Sequence, residues 1–172
     1  LPLDTLRKEP LYRPGQAPDT ADAQQRRAIY WQPYHDALRA ELDRLRALHG
    51  RVVLWEAHSI ASRMPRFFDG KLPDLNLGTA EGRACAPAVQ AAVEAAMNAQ
   101  TQFTHVSNGR FKGGHITRHY GRPDTGIHAL QLEICQSTYM DETAPFAYRS
   151  DLAAQVQPLL ERMLHAALEA RP

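Results

Sequence analysis

Short apolar runs alternate along this sequence with longer segments whose apolar residues recur at three- and four-residue spacing. The runs are too short for helices, and they predict strands at residues 52–55, 75–77, 103–106 and 127–135. The longer segments predict helices at residues 19–48, 86–100 and 150–167. Because strands and helices alternate, the sequence predicts an α/β fold with a mixed, largely parallel sheet sandwiched by helices.

The length of the chain predicts one domain. Its 172 residues are of the size that buries a single core, so residues 1–172 are interpreted as one unit. Prolines are dense within residues 1–18, where they disfavour both helix and strand, and this part is predicted to be an irregular arm. Pro33 is expected to kink or divide the first helix, because proline cannot donate a helical hydrogen bond.

Charge and hydropathy exclude several classes of partner. The formal net charge is +1, from 20 basic and 19 acidic residues, which gives no electrostatic footprint for nucleic acid or an anionic membrane. No apolar run approaches the roughly 20 residues that span a bilayer. The only cysteines, Cys85 and Cys135, are too few for a disulfide scaffold and are expected to be buried free thiols in a cytoplasmic protein.

His58 follows the first predicted strand, at the point where the chain is expected to leave the sheet. Ligands of open α/β sheets bind beyond the carboxyl ends of the strands, so a reactive group there is a candidate site residue. One interpretation is a histidine whose ring pairs with a backbone carbonyl. The other is a metal ligand, since neutral imidazole binds zinc. No familiar zinc motif accompanies His58, so a metal would need ligands from elsewhere.

Glu133 lies in the predicted strand 127–135, among apolar neighbours. Alternation along a strand places Glu133 and Gln131 on one face, and Leu130 and Leu132 on the other. A buried carboxylate is costly unless something pairs with it. Glu133 is therefore interpreted either as a partly exposed residue at the end of the sheet or as a general base beside a metal-bound water.

Arg118 is the candidate for binding an anionic group. It is predicted to lie in a loop flanked by glycines, which let the backbone approach a ligand closely. A guanidinium group can bind a carboxylate through two hydrogen bonds, although a surface ion pair is an equally ordinary use. Asn76 and Arg110 stand at the starts of predicted loops, where polar residues commonly form turns or caps.

Eight short strings along the chain, taken in order, resemble the N-formylglutamate amidohydrolase family. The resemblance covers nearly the whole chain, and the ordered set is far more specific than any one string. The strings are 9–12 (EPLY), 30–35 (YWQPYH), 55–59 (WEAHS), 72–79 (LPDLNLGT), 108–114 (NGRFKGG), 116–121 (ITRHYG), 130–133 (LQLE) and 136–140 (QSTYM).

This resemblance implies an activity, a fold and roles for particular residues. The family hydrolyses N-formyl-L-glutamate to formate and L-glutamate, the last step of one histidine-degradation route. Its fold is similar to the zinc carboxypeptidases and the aspartoacylase-type deacylases. The resemblance implies that His58 is the later of two zinc-binding histidines and that Glu133 is the catalytic carboxylate. Arg118 becomes the first candidate for a substrate carboxylate, with Asn76 and Arg110 as further candidates.

The resemblance also implies ligands that this sequence lacks. Family members carry a Pro-His-Ser-Gly-type motif, an acidic residue and the opening strands of the sheet ahead of the part that the chain resembles. The chain is therefore expected to lack those N-terminal strands and the other zinc ligands. Two alternatives stay open: a zinc-dependent deacylase of another N-acyl amino acid, and a non-catalytic or inactive fragment of such an enzyme.

Overall fold

The computed structural model describes residues 1–5 and 8–171. Within these residues, five α-helices and four strands follow one another along the chain. The helices are α1 (Thr20–Arg26), α2 (Gln32–His49), α3 (Pro87–Asn98), α4 (His115–Tyr120) and α5 (Ser150–Glu169). The strands are β1 (Val52–Ile60), β2 (Leu75–Gly78), β3 (His105–Ser107) and β4 (Ile127–Cys135). No helix among the described residues is both long and apolar enough to cross a membrane.

The four strands form one mixed sheet in the order β1-β4-β2-β3. β1 runs parallel to β4, β2 runs parallel to β3, and the central pair β4 and β2 is antiparallel. Two of the three pairings are therefore parallel, which confirms the predicted mixed, largely parallel sheet between helices. Within the described part of the chain β1 pairs with β4 alone, so its other edge is open.

One face of the sheet carries the larger hydrophobic core. The alternating leucines of β4 and β2 point to this face, where α3 and α5 cover them. The core residues include Leu75, Leu77, Leu130, Leu132, Val89, Val93, Met97, Val156, Leu159 and Met163. This burial fixes the register of β4, because a slip of one residue would bring Glu133 into the core.

The opposite face is apolar at one end and polar at the other. Near the starts of β1 and β4, Val52 and Ile127 pack with Leu42 of α2 and Tyr120 of α4. Further along the same two strands, polar side chains replace the apolar ones. The helices therefore leave the carboxyl ends of β1 and β4 to a set of polar groups.

β1 is longer than predicted. The sequence predicts that the strand ends at Trp55, whereas β1 continues to Ile60 and pairs with β4 residue by residue along its whole length. The polar Glu56 and His58 suggest an end of the strand in the sequence. They fit within the strand because they lie on its half-open face, while the backbone pairing with β4 holds the extended conformation.

Arg118 lies in a helix, and the prediction of a loop there is wrong. The six residues of α4 follow Gly114 and end before Gly121. Ile116 and Tyr120, four residues apart, lie on one side of this short helix and pack into the cluster against β1 and β4. Tertiary packing therefore stabilises a helix too short to stand out in the sequence.

The remaining predictions agree with the structure in type and differ in extent. The first helix is divided as Pro33 predicts, since a π-helical turn at 27–31 separates α1 from α2. The third strand begins at His105, two residues later than predicted. Within residues 1–5 and 8–18 the arm has no helix or strand, and part of the predicted arm, Leu6 and Arg7, lies outside the described residues. Both cysteines are free and buried, as predicted.

Gly78 marks a place where the sheet and the loop before α4 touch backbone to backbone. A Cβ atom at this position would lie 2.5 Å from the Gly113 nitrogen and 2.7 Å from the Lys112 carbonyl carbon. Backbone atoms cannot move aside as a flexible side chain can. We expect Gly78→Ala to lower the free energy of unfolding by roughly 1–3 kcal/mol, the usual cost of overpacking.

Chemical denaturation of the two proteins measures this effect. Gly114→Ala is the matched control, because its added Cβ would meet only the end of the Gln131 side chain, at 3.3 Å. Equal stabilities of the Gly78 and Gly114 variants would contradict the close backbone contact.

Candidate active site

Three of the five predicted site residues form a row across the sheet. His58 of β1 is the pairing partner of Glu133 of β4, and Glu133 is also the partner of Asn76 of β2. Paired residues on neighbouring strands point to the same face and lie close together. The structure therefore brings a histidine, a carboxylate and a carboxamide together at the carboxyl end of the parallel pair. We call these residues the catalytic row.

Glu133 occupies the centre of the catalytic row and is only 8% exposed. Among the described residues its carboxylate has no hydrogen-bond partner. Burial raises the pKa of Glu133, and the nearby His58 opposes this shift. A carboxyl group whose pKa is raised toward neutrality can both accept and donate a proton, which is what general acid–base catalysis requires.

His58 stands at the open side of the catalytic row, with about half of its side chain exposed (48%). Its Nε2 atom lies 3.4 Å from Oε2 of Glu56, which is on the same face of β1 two residues earlier. A carboxylate beside an imidazole orients the ring, as outer-shell partners of metal-binding histidines do. The ring thus remains accessible to a ligand on its solvent side.

Asn76 is almost completely buried, at 1% exposure, and its amide group is fixed in one orientation. The Nδ2 group donates to the backbone oxygens of Pro73, at 2.8 Å, and of Glu133, at 3.2 Å. The Oδ1 atom is buried and has no partner within the described residues. Asn76 therefore ties β2 to the backbone of Glu133 and keeps one acceptor unused.

A second polar row adjoins the first, and the sequence-based prediction covers only part of it: it places Gln131 on the face of Glu133 but does not single out Glu56. Glu56 pairs with Gln131, and Gln131 pairs with Gly78. The Gln131 Oε1 atom accepts a hydrogen bond from the Gly114 backbone nitrogen at 2.5 Å, which anchors the start of α4 to the sheet. The period-two alternation from His58 and Glu133 was the available signal, since it places Glu56 and Gln131 on the same face.

Arg118 and Arg110 do not belong to the catalytic row. Arg118 is exposed on α4, donates to the backbone oxygen of Gly113 and lines a surface cleft that His58, Glu133 and Asn76 do not line. Arg110 is exposed in the loop after β3, with its guanidinium carbon 5.1 Å from the centre of the Phe68 ring. The structure thus places the side chains of both arginines in contact with residues outside the catalytic row.

The residues present do not make up a complete zinc site. A catalytic zinc normally has three protein ligands. No group of three histidine, cysteine, aspartate or glutamate side chains among residues 1–5 and 8–171 could hold a metal ion. His58 is a suitable single donor, because its imidazole is accessible and already has a carboxylate neighbour.

Comparisons with known proteins agree on one family. A family model described as N-formylglutamate amidohydrolase matches residues 1–140. The N-formylglutamate deformylase of Pseudomonas aeruginosa is 52% identical over 159 residues, covering 92% of this chain and 60% of that protein. The enzyme of the same name from Pseudomonas putida is 51% identical over 167 residues, covering 97% of the chain and 62% of that protein.

Solved structures agree in fold. The N-formylglutamate amidohydrolase of Ralstonia eutropha JMP134 superposes with a TM-score of 0.74 at 26% identity, covering 88% of this chain and 55% of that one. A gene product of Agrobacterium tumefaciens superposes with a TM-score of 0.67 at 20% identity, covering 96% of the chain and 59% of that one, and it shows the fold alone.

An α/β fold with a buried carboxylate and a histidine at one end of its sheet suits a hydrolase. The match of the family model over most of the chain makes the assignment particular: this chain belongs to the N-formylglutamate amidohydrolase family. It spans about 60% of the length of the curated relatives that it matches.

Proposed function

We propose that the whole protein hydrolyses N-formyl-L-glutamate to formate and L-glutamate. The two Pseudomonas relatives, both N-formylglutamate deformylases at 51–52% identity over most of the chain, support this substrate. The observation that carries the proposal is the buried Glu133 carboxylate, which lies beside His58 and has no hydrogen-bond partner among the described residues. A carboxylate held without a structural partner is available for proton transfer.

Glu133 acts as the general base and then as the general acid. In its ionised form it takes a proton from the attacking water, and the oxygen of that water forms a bond to the formyl carbon. The carboxyl group then gives this proton to the amide nitrogen as the carbon–nitrogen bond breaks. The raised pKa suits both steps, because proton transfer is most efficient when the pKa of the catalytic group lies near the working pH.

Substrate contacts are proposed for the residues that the sequence predicts. Asn76 lies next to Glu133, but its unused Oδ1 atom is buried, so a contact of Asn76 with the substrate stays a prediction. Arg118 and Arg110 lie outside the catalytic row. Their contacts with the substrate carboxylates stay predictions. Their guanidinium groups have the chemistry that such contacts need.

Zinc dependence is a separate part of the proposal. His58 would supply one imidazole ligand. A bound zinc would polarise the formyl oxygen and lower the pKa of a water molecule. Because the described residues do not complete a zinc site, the other ligands must come from outside them. The proton transfers assigned above to Glu133 do not depend on where those ligands come from.

Three broader features of the family resemblance also stay proposals. These are a place as the last step of a histidine-degradation route, a fold related to the zinc carboxypeptidases and aspartoacylase-type deacylases, and a cytoplasmic location. The free, buried Cys85 and Cys135 are compatible with a reducing compartment.

A substrate panel tests the proposed reaction. The whole protein is assayed with N-formyl-L-glutamate, N-formyl-L-aspartate and N-acetyl-L-glutamate, and the released acid and amino acid are quantified. We expect equal amounts of formate and glutamate from the first compound and a lower kcat/KM for the other two. Faster release of acetate would indicate a deacylase of another N-acyl amino acid, and no release from any compound would indicate a non-catalytic protein.

A further inference from the structure

A cleft lined by three arginines lies outside the catalytic row. It has a volume of about 380 Å³ and lies between the turn at residues 80–84 and the connection from α4 to β4. Arg83, Arg118 and Arg122 line it, together with small residues and the carboxylate of Asp124. Arg83 is already paired with the carboxylate of Glu81, with Nη1 3.3 Å from Oε2. Arg118 and Arg122 against the carboxylate of Asp124 leave an excess of positive charge, which attracts anions.

Backbone carbonyls hold two of these guanidinium groups in place. Arg122 donates through Nη1 to the backbone oxygens of Gly121, at 2.6 Å, and of Arg118, at 3.2 Å. Arg118 donates through Nη1 to the backbone oxygen of Gly113. Neither arginine has a carboxylate partner within the part of the chain that the structure describes. Their remaining N–H groups are positioned and free to bind an oxyanion in two-point fashion.

The floor of the cleft is built by close backbone packing. A Cβ atom on Gly121 would lie 2.6 Å from the Cα atom and from the carbonyl oxygen of Ala84. That same carbonyl accepts a hydrogen bond from the Ala129 nitrogen of β4 at 2.8 Å. Gly121 and Ala84 are both buried. The small residues thus bring the arginine-bearing segments together and fix them to the sheet.

The cleft lies toward the opposite end of β4 from the catalytic row. Arg122 pairs with Ile127, the first residue of β4, whereas Glu133 is six residues further along the strand. At about 3.3 Å per residue, these two positions are roughly 20 Å apart. The floor of the cleft is nearer to the row, because Ala129, whose nitrogen binds the Ala84 carbonyl, precedes Glu133 by four residues, or about 13 Å. The lining separates the two places, since His58, Glu133 and Asn76 do not line the cleft.

We propose that this cleft is a second site, which binds a small oxyanion, either a carboxylate or a phosphate group. The proposal goes beyond the deformylase activity and does not rest on it. It gives Arg118 a ligand different from the substrate carboxylate that the sequence predicts. Arg83 and Arg122 distinguish the two assignments, because neither is a predicted substrate contact.

Calorimetric titration of the whole protein tests the proposal. The probes are inorganic phosphate and acetate, each titrated at an ionic strength held constant with sodium chloride. We expect saturable binding of one anion per chain in at least one titration. Arg122→Gln should weaken that binding about tenfold, since a hydrogen bond to a charged group is worth about that factor. Arg83→Gln should weaken it less, because Arg83 is already paired with Glu81. All three arginines are exposed, so these variants should keep the thermal unfolding midpoint of the wild type.

The matched control is Arg162→Gln, which removes an exposed arginine of α5 outside the cleft and should leave anion binding unchanged. The Michaelis constant for N-formyl-L-glutamate should be the same in Arg122→Gln and wild type. Absence of saturation with both anions, or equal weakening by the control, would overturn the proposal. Competition between the anion and the substrate, together with a raised Michaelis constant in Arg122→Gln, would also overturn it, because the cleft would then belong to the substrate site. Loss of turnover alone, with anion binding intact, would count only against the deformylase activity.

Discussion

Glu133→Gln is expected to lower kcat for N-formyl-L-glutamate by roughly 10²- to 10⁴-fold, the usual contribution of a positioned general acid–base. The amide has nearly the same shape as the carboxyl group and cannot accept the proton of water. The side chain has no hydrogen-bond partner among the described residues, so little structure is lost. Formate release by the whole protein measures the effect.

Glu133→Gln is expected to maintain or raise the stability of the protein, although it lowers the activity. Burial raises the pKa of Glu133 in the folded protein, so the folded state favours the neutral carboxyl group. That contribution is complete below the pKa of the unfolded chain and is lost as the pH rises through the higher folded pKa. Glutamine stays neutral at every pH, so replacing Glu133 removes this pH-dependent loss of stability. The variant should therefore be at least as stable as the wild type at neutral pH.

Glu161→Gln, on the exposed surface of α5, is the control for both measurements and should change neither activity nor stability. A Glu133→Gln protein that keeps the wild-type kcat would show that Glu133 is not the general base. A variant that loses activity through unfolding would show a lowered unfolding midpoint, contrary to the stability prediction.

His58→Ala is expected to weaken zinc binding by the whole protein at least roughly 100-fold, since even outer-shell partners of metal ligands are worth about 10- to 100-fold. The side chain is half exposed, so its removal should cost little stability. Elemental analysis of protein dialysed against a weak chelator measures the zinc content. We expect about one zinc per wild-type chain and almost none in the variant.

The control for this measurement is His165→Ala, which removes an exposed histidine of α5. It should retain the wild-type zinc content. Full zinc occupancy in His58→Ala would contradict the ligand assignment and would leave the histidine with a role in orienting Glu56 or the substrate. Zinc-free wild-type protein that still releases formate would contradict the metal dependence itself.

The sequence predicts the central strand of this site correctly because the alternation along β4 is strong. Leu130 and Leu132 require one buried face, and this requirement alone places Glu133 and Gln131 on the other face. The eight-string resemblance adds the family, which the comparisons confirm. Local pattern and family motif therefore agree where the chemistry is expected.

The arrangement around that strand could not be predicted, because it depends on contacts between distant parts of the chain. Asn76 and Glu133 are 57 residues apart and meet only because β2 pairs antiparallel with β4. The polar Glu56 and His58 make the second half of β1 look like a loop in the sequence. The pairing of β1 with β4 keeps this half in the strand. Non-local pairing of this kind leaves no periodic trace in the sequence.

A crystal structure of the whole protein carrying Glu133→Gln, with N-formyl-L-glutamate bound, tests the central claim most directly. The account predicts that the formamide carbon lies over the catalytic row, within reach of a water molecule that contacts the side chain at position 133, at the roughly 3–3.5 Å of a near-attack arrangement. Substrate bound in the arginine cleft, or anywhere that leaves position 133 without contact to the formamide or its water, would contradict it.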